Sequence, residues 1–247
     1  MNAARHLIII PAFNEEHSLA QTVEQLQRLP DNFELLVIND GSVDRTGEVA
    51  GDIARTSRLP LHVVTLASNT GIGSAVQTGY RFAANRGDYT YVIQFDADGQ
   101  HDADSVLDLV GECESKGLVL CVGSRFLVPK SGGFQSTFAR RVGIRFFSRL
   151  IGVLSNTRVT DPTSGFRCAG PRAWKSFAHR YPDDFPEPES LFWCIRNRLN
   201  VGEAAVRMHQ RQGGVSSIRF WRSVYYMSKV TLAILIENMR TRETLTI

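Results

Sequence analysis

Residues 89–100 of the chain have the sequence Tyr-Thr-Tyr-Val-Ile-Gln-Phe-Asp-Ala-Asp-Gly-Gln. The first seven are aromatic, β-branched or apolar except for Gln94, which is typical of a buried strand. Asp96 and Asp98 follow two positions apart, so their carboxylates point the same way from the end of that strand. Gly99 then allows the chain to turn tightly. The segment therefore predicts a buried strand that ends in an acidic turn.

The alternation of apolar strands with helical segments continues on both sides of this stretch. Apolar, β-branched runs predict strands at Leu7–Pro11, Leu35–Asn39, Leu61–Leu66, Tyr89–Phe95 and Leu118–Gly123. Helical periodicity predicts helices between them, at 17–29, 44–56, 73–85 and 103–115. Repeated strand–helix units with short links predict an α/β fold, in which helices cover both faces of a Rossmann-like, mostly parallel sheet.

Charge is distributed unevenly along the 247 residues. Residues 1–124 carry 8 Lys and Arg against 17 Asp and Glu, whereas residues 125–180 carry 11 Lys and Arg and a single Asp. An acidic half suits a divalent cation, and a basic segment suits phosphates, anionic lipid headgroups or nucleic acid. The aromatic interleaving of a nucleic-acid platform is missing from the basic segment, so we expect no nucleic-acid partner.

The cysteines and the apolar runs indicate the compartment. The four cysteines form no C-x-x-C pair and no disulfide framework, and they are Cys113, Cys121, Cys168 and Cys194. The apolar run Leu7–Ile10 is too brief for a signal peptide, and no run reaches the roughly 18 to 20 apolar residues that a spanning helix needs. We therefore expect a cytoplasmic protein with buried thiols.

Polar motifs follow the first, second and fourth predicted strands, at the edge where open parallel sheets bind their ligands. Asp96, Asp98 and Gln100 offer the oxygen donors that Mg²⁺ or Mn²⁺ prefers, and diphosphate oxygens of a substrate would complete the shell. Asp-Gly is also a common turn pair, so a purely structural turn is the alternative. His101 is expected to be a solvated loop residue, with a metal ligand as the alternative.

Two further motifs predict contacts with a nucleotide. Asp40, at the end of the second strand, can accept hydrogen bonds from a base or a ribose. Residues 69–75 are rich in glycine and open a helix, which can bring backbone N–H groups close to an anion, so we expect Asn69 and Gly71 beside the substrate. Val76 occupies the position of the third glycine in a dinucleotide fold, which argues against an NAD enzyme.

The pattern is less regular after residue 124. It predicts a basic helix at 136–154 and a turn at 161–165. A further helix at 187–199, a strand at 201–209 and a mobile loop at 210–217 follow. A last amphipathic helix at 218–240 is expected to lie in a membrane interface, with packing on the catalytic domain or on a second chain as the alternatives. These boundaries divide the chain into a catalytic domain, 1–215, and a membrane-proximal helix, 216–247.

Six motifs together carry a family resemblance. In chain order they are P-A-F-N-E-E, V-I-N-D-G-S-x-D-x-T, N-x-G-I-G-x-A, D-A-D-G-Q-H, G-S-R-F and D-P-T-S-G-F-R. This set resembles the GT-A glycosyltransferases of family 2 and, more narrowly, the polyprenyl-phosphate glycosyltransferases. The matched motifs extend over roughly residues 7–218, and their combination is far more specific than any one of them.

The resemblance implies roles for individual positions. The implied nucleotide-sugar pocket consists of Pro11, Ala12, Asn14, Glu16 and Asp40. The implied metal and diphosphate ligands are Asp96, Asp98 and Gln100, of which the two aspartates are also catalytic. The implied ligands of the acceptor's phosphate are Arg125 and Arg141, and arginine forks suit phosphate oxygens. Three positions after the second arginine, where the family often has a small polar residue, this chain has Ile144.

The acidic start of the helix near residue 187 carries one more assignment. Glu187 and Glu189 follow prolines, and one carboxylate is explained by its favourable interaction with the helix dipole. The resemblance implies that the other faces the sugar as a catalytic residue. We assign that role to Glu187, and Glu189 remains the alternative.

The motifs together predict an inverting, metal-dependent hexosyl- or N-acetylhexosaminyltransferase. Its donor would be a UDP- or GDP-linked sugar, its acceptor polyprenyl phosphate, and its place the inner face of the membrane as a peripheral protein, where a small integral membrane protein is a further expected partner. The enzymatic alternative adds a sugar to a cell-wall polysaccharide or glycolipid intermediate. The non-enzymatic alternative is a scaffold that binds a membrane partner.

Overall fold

The computed structural model describes residues 4–127, 138–209 and 220–240. Its strands are β1 His6–Ala12, β2 Phe33–Asn39, β3 Leu61–Thr65, β4 Tyr91–Gln94, β5 Leu120–Ser124, β6 Arg167–Ala169 and β7 Val201–Ala205. Its helices are α1 Leu19–Leu26, α2 Thr46–Thr56, α3 Ile72–Arg86, α4 Ser105–Lys116, α5 Phe138–Ser155, α6 Pro171–His179, α7 Pro186–Arg196 and α8 Phe220–Met239. The predicted domain boundary at residues 215 and 216 and the predicted loop 210–217 lie outside the described residues.

The seven strands form one sheet in the order β3-β2-β1-β4-β6-β5-β7. Every pairing is parallel except the two made by β6, which runs antiparallel between β4 and β5. The predicted α/β fold with a mostly parallel sheet is therefore confirmed. Strand β6 and helix α6 were not predicted, because β6 has only three residues and begins with Arg167.

Both faces of the sheet are covered by helices, as predicted. Successive residues of β1 alternate between two hydrophobic clusters, because side chains of a strand point to opposite faces. Leu7 and Ile9 belong to the cluster that includes side chains of α3, α5, α6, α7 and α8. Ile8 and Ile10 belong to the cluster that includes side chains of α1, α2 and α4. Such two-sided burial explains why the strands are apolar throughout.

Helix α8 has a buried face and an exposed face. Val230 and Ile234 belong to the cluster shared with α5, α6 and α7. One turn further on, the buried carboxylate of Glu237 accepts a hydrogen bond of 2.8 Å from Arg180 Nη2. The helix thus packs against α5, α6 and α7, and packing on the rest of the chain was the alternative to the membrane interface. Its other face exposes apolar side chains, namely Tyr225, Leu232, Leu235, Ile236 and Met239. No helix of the described chain combines the length and the apolarity needed to cross a bilayer.

Candidate active site

A cavity of about 490 Å³ opens where the predicted motifs meet, beyond the carboxyl ends of β1, β2 and β4. This is the edge at which open parallel sheets bind ligands. Ten of the predicted site residues line it, namely Pro11, Ala12, Asp40, Asn69, Gly71, Asp96, Asp98, Gln100, Arg125 and Glu187. Side chains from the turn after residue 160, from α7 and from the segment after β7 complete its wall.

The acidic turn after β4 contributes Asp96, Asp98 and Gln100 to the cavity. Gly99 has a φ of 73°, which only glycine adopts without strain, and the carboxylate of Asp98 accepts a 3.1 Å hydrogen bond from the N–H of Gln100. Gly165 closes in from the opposite side. A Cβ added to Gly165 would lie 3.0 Å from Gln94 Nε2 and 3.1 Å from Asp96 Oδ2, so a side chain at this position would crowd both groups.

The three donors suit a hard divalent cation in chemical type. Two aspartates and one glutamine line the same cavity. Mg²⁺ and Mn²⁺ bind through few protein oxygens and keep water or phosphate oxygens in the remaining positions. Within the residues that the structure describes, no group of three or more His, Cys, Asp and Glu side chains could hold a metal alone. A cation bound to Asp96, Asp98 and Gln100 would complete its coordination with water or with phosphate oxygens of a substrate.

His101 is buried, not solvated as predicted. Only 3% of the residue is exposed. The cause is a long-range contact, because His101 forms a β-bridge with Met208 in the segment after β7. The imidazole ring also stacks on Phe166, with 4.6 Å between the two ring centroids. Local sequence gives no signal for such a contact, since more than one hundred residues separate the two segments.

Asp40 organises the glycine-rich loop before α3. Its carboxylate is buried and accepts hydrogen bonds from the N–H of Thr70 at 2.8 Å and from the N–H of Gly71 at 3.0 Å. The hydroxyl of Thr70 donates a third, also at 2.8 Å. Gly41 makes the approach possible, because a Cβ there would lie 2.3 Å from the backbone carbon of Ser68. Asp40 thus lines the cavity and also sets the conformation of the loop that carries Asn69 and Gly71.

Asn14 and Glu16 join the loop after β1 to the loop after β2. The side-chain oxygen of Asn14 accepts a hydrogen bond from the N–H of Val43 at 3.0 Å, and a carboxylate oxygen of Glu16 accepts one from the N–H of Arg45 at 3.0 Å. Pro11 and Ala12 line the cavity, whereas the described lining includes neither Asn14 nor Glu16. Their assignment to the nucleotide pocket stays a prediction.

Arg125 lies at the cavity in a buried ion pair with Asp161. Its Nε and Nη2 atoms donate to the two carboxylate oxygens, each over 2.6 Å, and Nη2 also donates to the hydroxyl of Thr163. The two side chains are 4% and 0% exposed. Arg141, by contrast, is exposed near the start of α5, and the described lining of the cavity does not include it.

Glu187, and not Glu189, lines the cavity. Burial raises the pKa of the Glu187 carboxyl, the nearby guanidinium of Arg167 opposes this, and the charge of Asp96 raises the pKa further. Burial also raises the pKa of Glu189, and the next largest cause is the charge of Glu237 on α8. Of the two candidate carboxylates, Glu187 is therefore the one that lies at the cavity.

Arg167 supports the wall of the cavity without being part of its described lining, and the sequence did not single it out. Its buried guanidinium donates to the carbonyl oxygens of Pro162, Ser164 and Glu187 and to the hydroxyl of Ser190. It therefore holds the 161–165 turn against the start of α7. The signal was available, because Arg167 ends the motif D-P-T-S-G-F-R.

Comparison with known proteins gives the family. The model of glycosyl transferase family 2 matches residues 7–176. Polyprenol monophosphomannose synthase of Mycolicibacterium smegmatis is 27% identical over 223 residues, which cover 87% of this chain and 81% of that protein. The UDP-N-acetylglucosamine–dolichyl-phosphate N-acetylglucosaminyltransferase of Methanococcus voltae is 28% identical over 215 residues, which cover 81% of this chain and 84% of that protein.

Solved structures give the fold. The crystal structure of glucosyl-3-phosphoglycerate synthase from Mycobacterium tuberculosis, in complex with Mn²⁺, UDP and glucosyl-3-phosphoglycerate, matches with a TM-score of 0.64 at 21% identity. The match covers 98% of this chain and 82% of that one. It confirms the predicted GT-A-like fold. Because the family model covers more than half of its residues, the chain belongs to glycosyl transferase family 2 and is a glycosyltransferase.

Proposed function

We propose that this enzyme transfers one hexosyl or N-acetylhexosaminyl group, with inversion, from a UDP- or GDP-sugar to polyprenyl phosphate at the inner membrane face. One observation carries the proposal. Asp96 and Asp98 of the acidic turn line the same cavity of about 490 Å³ as Glu187 and the buried Arg125. This volume lies within the range of roughly 300 to 1,000 Å³ that is typical of small-molecule binding sites.

The donor would occupy the acidic side of the cavity. Pro11, Ala12, Asp40, Asn69 and Gly71 line that side and would contact the nucleotide. A Mg²⁺ or Mn²⁺ ion, when bound, would neutralise charge on the diphosphate leaving group. The predicted donors Asp96, Asp98 and Gln100 would hold it there. Asp40 would act partly through the loop it orders, since its carboxylate receives the N–H groups of Thr70 and Gly71.

The acceptor's phosphate would meet Arg125 in the cavity and Arg141 on α5. A phosphate is already ionised, so one of its oxygens can form a bond to the anomeric carbon without losing a proton. The bond from that carbon to the diphosphate oxygen breaks, and its electron pair leaves with the nucleoside diphosphate. The chain's own contribution is then positioning and electrostatics. Glu187, whose carboxyl has a raised pKa, would orient the sugar through a hydroxyl group.

Two helices, α5 and α8, expose apolar side chains that would meet the membrane. Helix α5 exposes Val142, Phe146 and Val153 beside the exposed arginines Arg141, Arg145 and Arg149. Apolar side chains flanked by cations suit an anionic bilayer surface, on which each Lys or Arg contributes about 1 kcal/mol. Flotation with phosphatidylglycerol vesicles tests this docking, and Phe146→Ser with Val153→Ser should reduce it. Equal flotation of that variant would contradict the proposed surface, and a small integral membrane partner would then be the remaining route to the membrane.

A panel of UDP- and GDP-sugars, incubated with a short-chain polyprenyl phosphate and Mn²⁺, tests the function. We expect one donor to give a sugar–phosphate–lipid product whose formation stops in excess chelator. The matched control is the same lipid with a free hydroxyl in place of the phosphate, which should give no product. Transfer to the hydroxyl lipid but not to the phosphate would favour the glycolipid alternative, and absence of both transfer and donor hydrolysis would favour the scaffold.

A further inference from the structure

The imidazole ring of His101 is packed between two aromatic side chains, those of Phe166 and Phe95. The imidazole lies nearly parallel to Phe166, at 4.6 Å between ring centroids and 12° between planes. It lies edge-on to Phe95, at 5.1 Å and 89°. A buried aromatic contact of this kind holds a ring in one orientation. The plane of the imidazole ring is therefore fixed by the core.

One of these nitrogens accepts a hydrogen bond from the acidic turn. The backbone N–H of Asp96 donates to Nδ1 of His101 over 3.1 Å. A backbone N–H can only donate, so Nδ1 carries a lone pair and the proton of the ring is on Nε2, which lies 3.6 Å from Oδ2 of the same Asp96. The register pairs of β4 with both neighbouring strands end at Gln94. Asp96 thus lies beyond the paired part of the strand, where the imidazole can decide the direction of its backbone.

The C-terminal end of the same turn contacts the segment after β7. His101 bridges to Met208, and the N–H of His209 donates to the carbonyl oxygen of Gln100 over 2.8 Å. These contacts hold the ring relative to the sheet through the segment after β7. They therefore give the Nδ1 atom a fixed place from which to orient Asp96.

The carboxylate of Asp96 lies close to the backbone of Gly165. Gly165 faces it so closely that an added Cβ would lie 3.1 Å from Oδ2 and 3.3 Å from Oδ1. A rotation of the Asp96 backbone would move the carboxylate against this turn or away from the cavity. We propose that His101 is a positioning residue, which directs the Asp96 carboxylate into the cavity through the bond from the Asp96 N–H to Nδ1. The inference rests on the proposed function, in which Asp96 holds a divalent cation.

Two substitutions separate this role from that of a core aromatic ring. His101→Phe keeps a ring to stack on Phe166 but removes the acceptor. His101→Asn loses the ring but keeps an acceptor, because its side-chain oxygen takes the place of Nδ1. A positioning role and a packing role therefore rank the two variants in opposite order.

The measurement is Mn²⁺ affinity in the presence of UDP or GDP, followed by the electron paramagnetic resonance signal of free Mn²⁺, together with the thermal midpoint of each variant. For His101→Phe we expect affinity about tenfold weaker than wild type, the size of a lost hydrogen bond that leaves a donor unpaired, with the smaller loss of thermal stability. For His101→Asn we expect affinity within about threefold of wild type, although the lost stacking lowers its midpoint further.

If affinity instead followed thermal stability, with His101→Asn the weaker binder, His101 would be a packing residue and the proposal would be wrong. Failure of wild type to bind Mn²⁺ with either nucleotide would refute the metal assignment, which is a separate result. The tautomer is then decisive for His101 itself. In protein labelled with ¹⁵N-histidine, we expect the resonance of an unprotonated Nδ1 that disappears in His101→Asn, and a protonated Nδ1 would overturn the proposal.

Discussion

The two sides of the cavity hold their functional side chains by different means. On the acidic side, Asp96 and Asp98 follow strand β4 directly, and single hydrogen bonds near the turn orient them, from the N–H of Asp96 to His101 and from the N–H of Gln100 to Asp98. On the basic side, buried ions do this work, namely the Arg125–Asp161 pair and the guanidinium of Arg167. The difference teaches where stability and activity are coupled. Losing a side chain should cost mainly activity on the first side, and also stability on the second.

The largest effect is expected from Asp98→Ala on the acidic side. We expect transfer to fall by a thousandfold or more, on the order of 4 kcal/mol, because a proposed metal ligand is removed. The free energy of unfolding should change by no more than about 1 kcal/mol, the size of the lost hydrogen bond to the N–H of Gln100. Initial rates with Mn²⁺ and urea unfolding measure the two quantities.

The control for this variant is Asp108→Ala, which removes an exposed carboxylate from α4. It should have wild-type activity, and chelator should abolish the activity of both wild type and control. Turnover of Asp98→Ala at the wild-type rate would remove Asp98 from the site. A large loss of stability would show instead that the acidic side also depends on its charges.

The opposite pattern is expected for Asp161→Ala. Removal of this carboxylate leaves the guanidinium of Arg125 buried without its main partner, which costs about 3 to 5 kcal/mol of stability. The comparison variant is Asp52→Ala, which breaks the exposed pair of Asp52 with Arg55 and should cost no more than about 0.5 kcal/mol. Urea unfolding measures the free energy of unfolding of both variants. A similar loss of stability in the two would contradict the proposed difference between the two sides of the cavity.

Sequence predicted the acidic side better than the basic side, for a physical reason. Strands β1 to β5 and helices α1 to α4 follow one another with short links, so local periodicity is enough to find them. The three residues of strand β6 pair with β4 and β5, and His101 packs on Phe166 and bridges to Met208. Such contacts join segments that are distant along the chain, and a local pattern does not encode them.

The same limit applies to individual site residues. Pro11, Ala12 and Asp96 line the cavity because they end or follow strands whose carboxyl ends share one edge of the sheet. Arg167 was missed because its partners come from the turn before it and from α7 after it. A motif can mark such a residue, but only the tertiary structure gives its hydrogen bonds.

Arg141→Ala sharpens the comparison from the basic side, where Arg141 is exposed rather than buried. We expect the KM for polyprenyl phosphate to rise about ten- to a hundredfold, the value of one charge-assisted contact of roughly 1.5 to 3 kcal/mol. The KM for the nucleotide-sugar and the thermal midpoint should change little, since an exposed side chain contributes little to the core. Steady-state kinetics with each substrate varied in turn measures this.

Arg145→Ala is the matched control for Arg141→Ala, because it removes the same charge one turn further along the exposed face of α5. A general contribution of α5 to an anionic surface predicts equal effects for the two variants. A specific contact with the acceptor's phosphate predicts a larger effect for Arg141→Ala. A rise in the nucleotide-sugar KM alone would move Arg141 to the donor side of the site.

The smallest effect is expected from Glu187→Gln, measured as thermal stability against pH. Burial raises the pKa of the Glu187 carboxyl above its unfolded value, so the folded protein binds this proton more tightly than the unfolded chain does. Stability therefore falls as the pH rises from the unfolded pKa through the folded pKa, because ionisation is favoured in the unfolded chain. The neutral amide removes this cost. We expect Glu187→Gln to melt above wild type at pH 7 and level with it at pH 4, in the absence of metal and nucleotide. A variant that is less stable than wild type at pH 7 would mean that the ionised carboxylate is held by favourable contacts, as on the basic side, and not strained by burial.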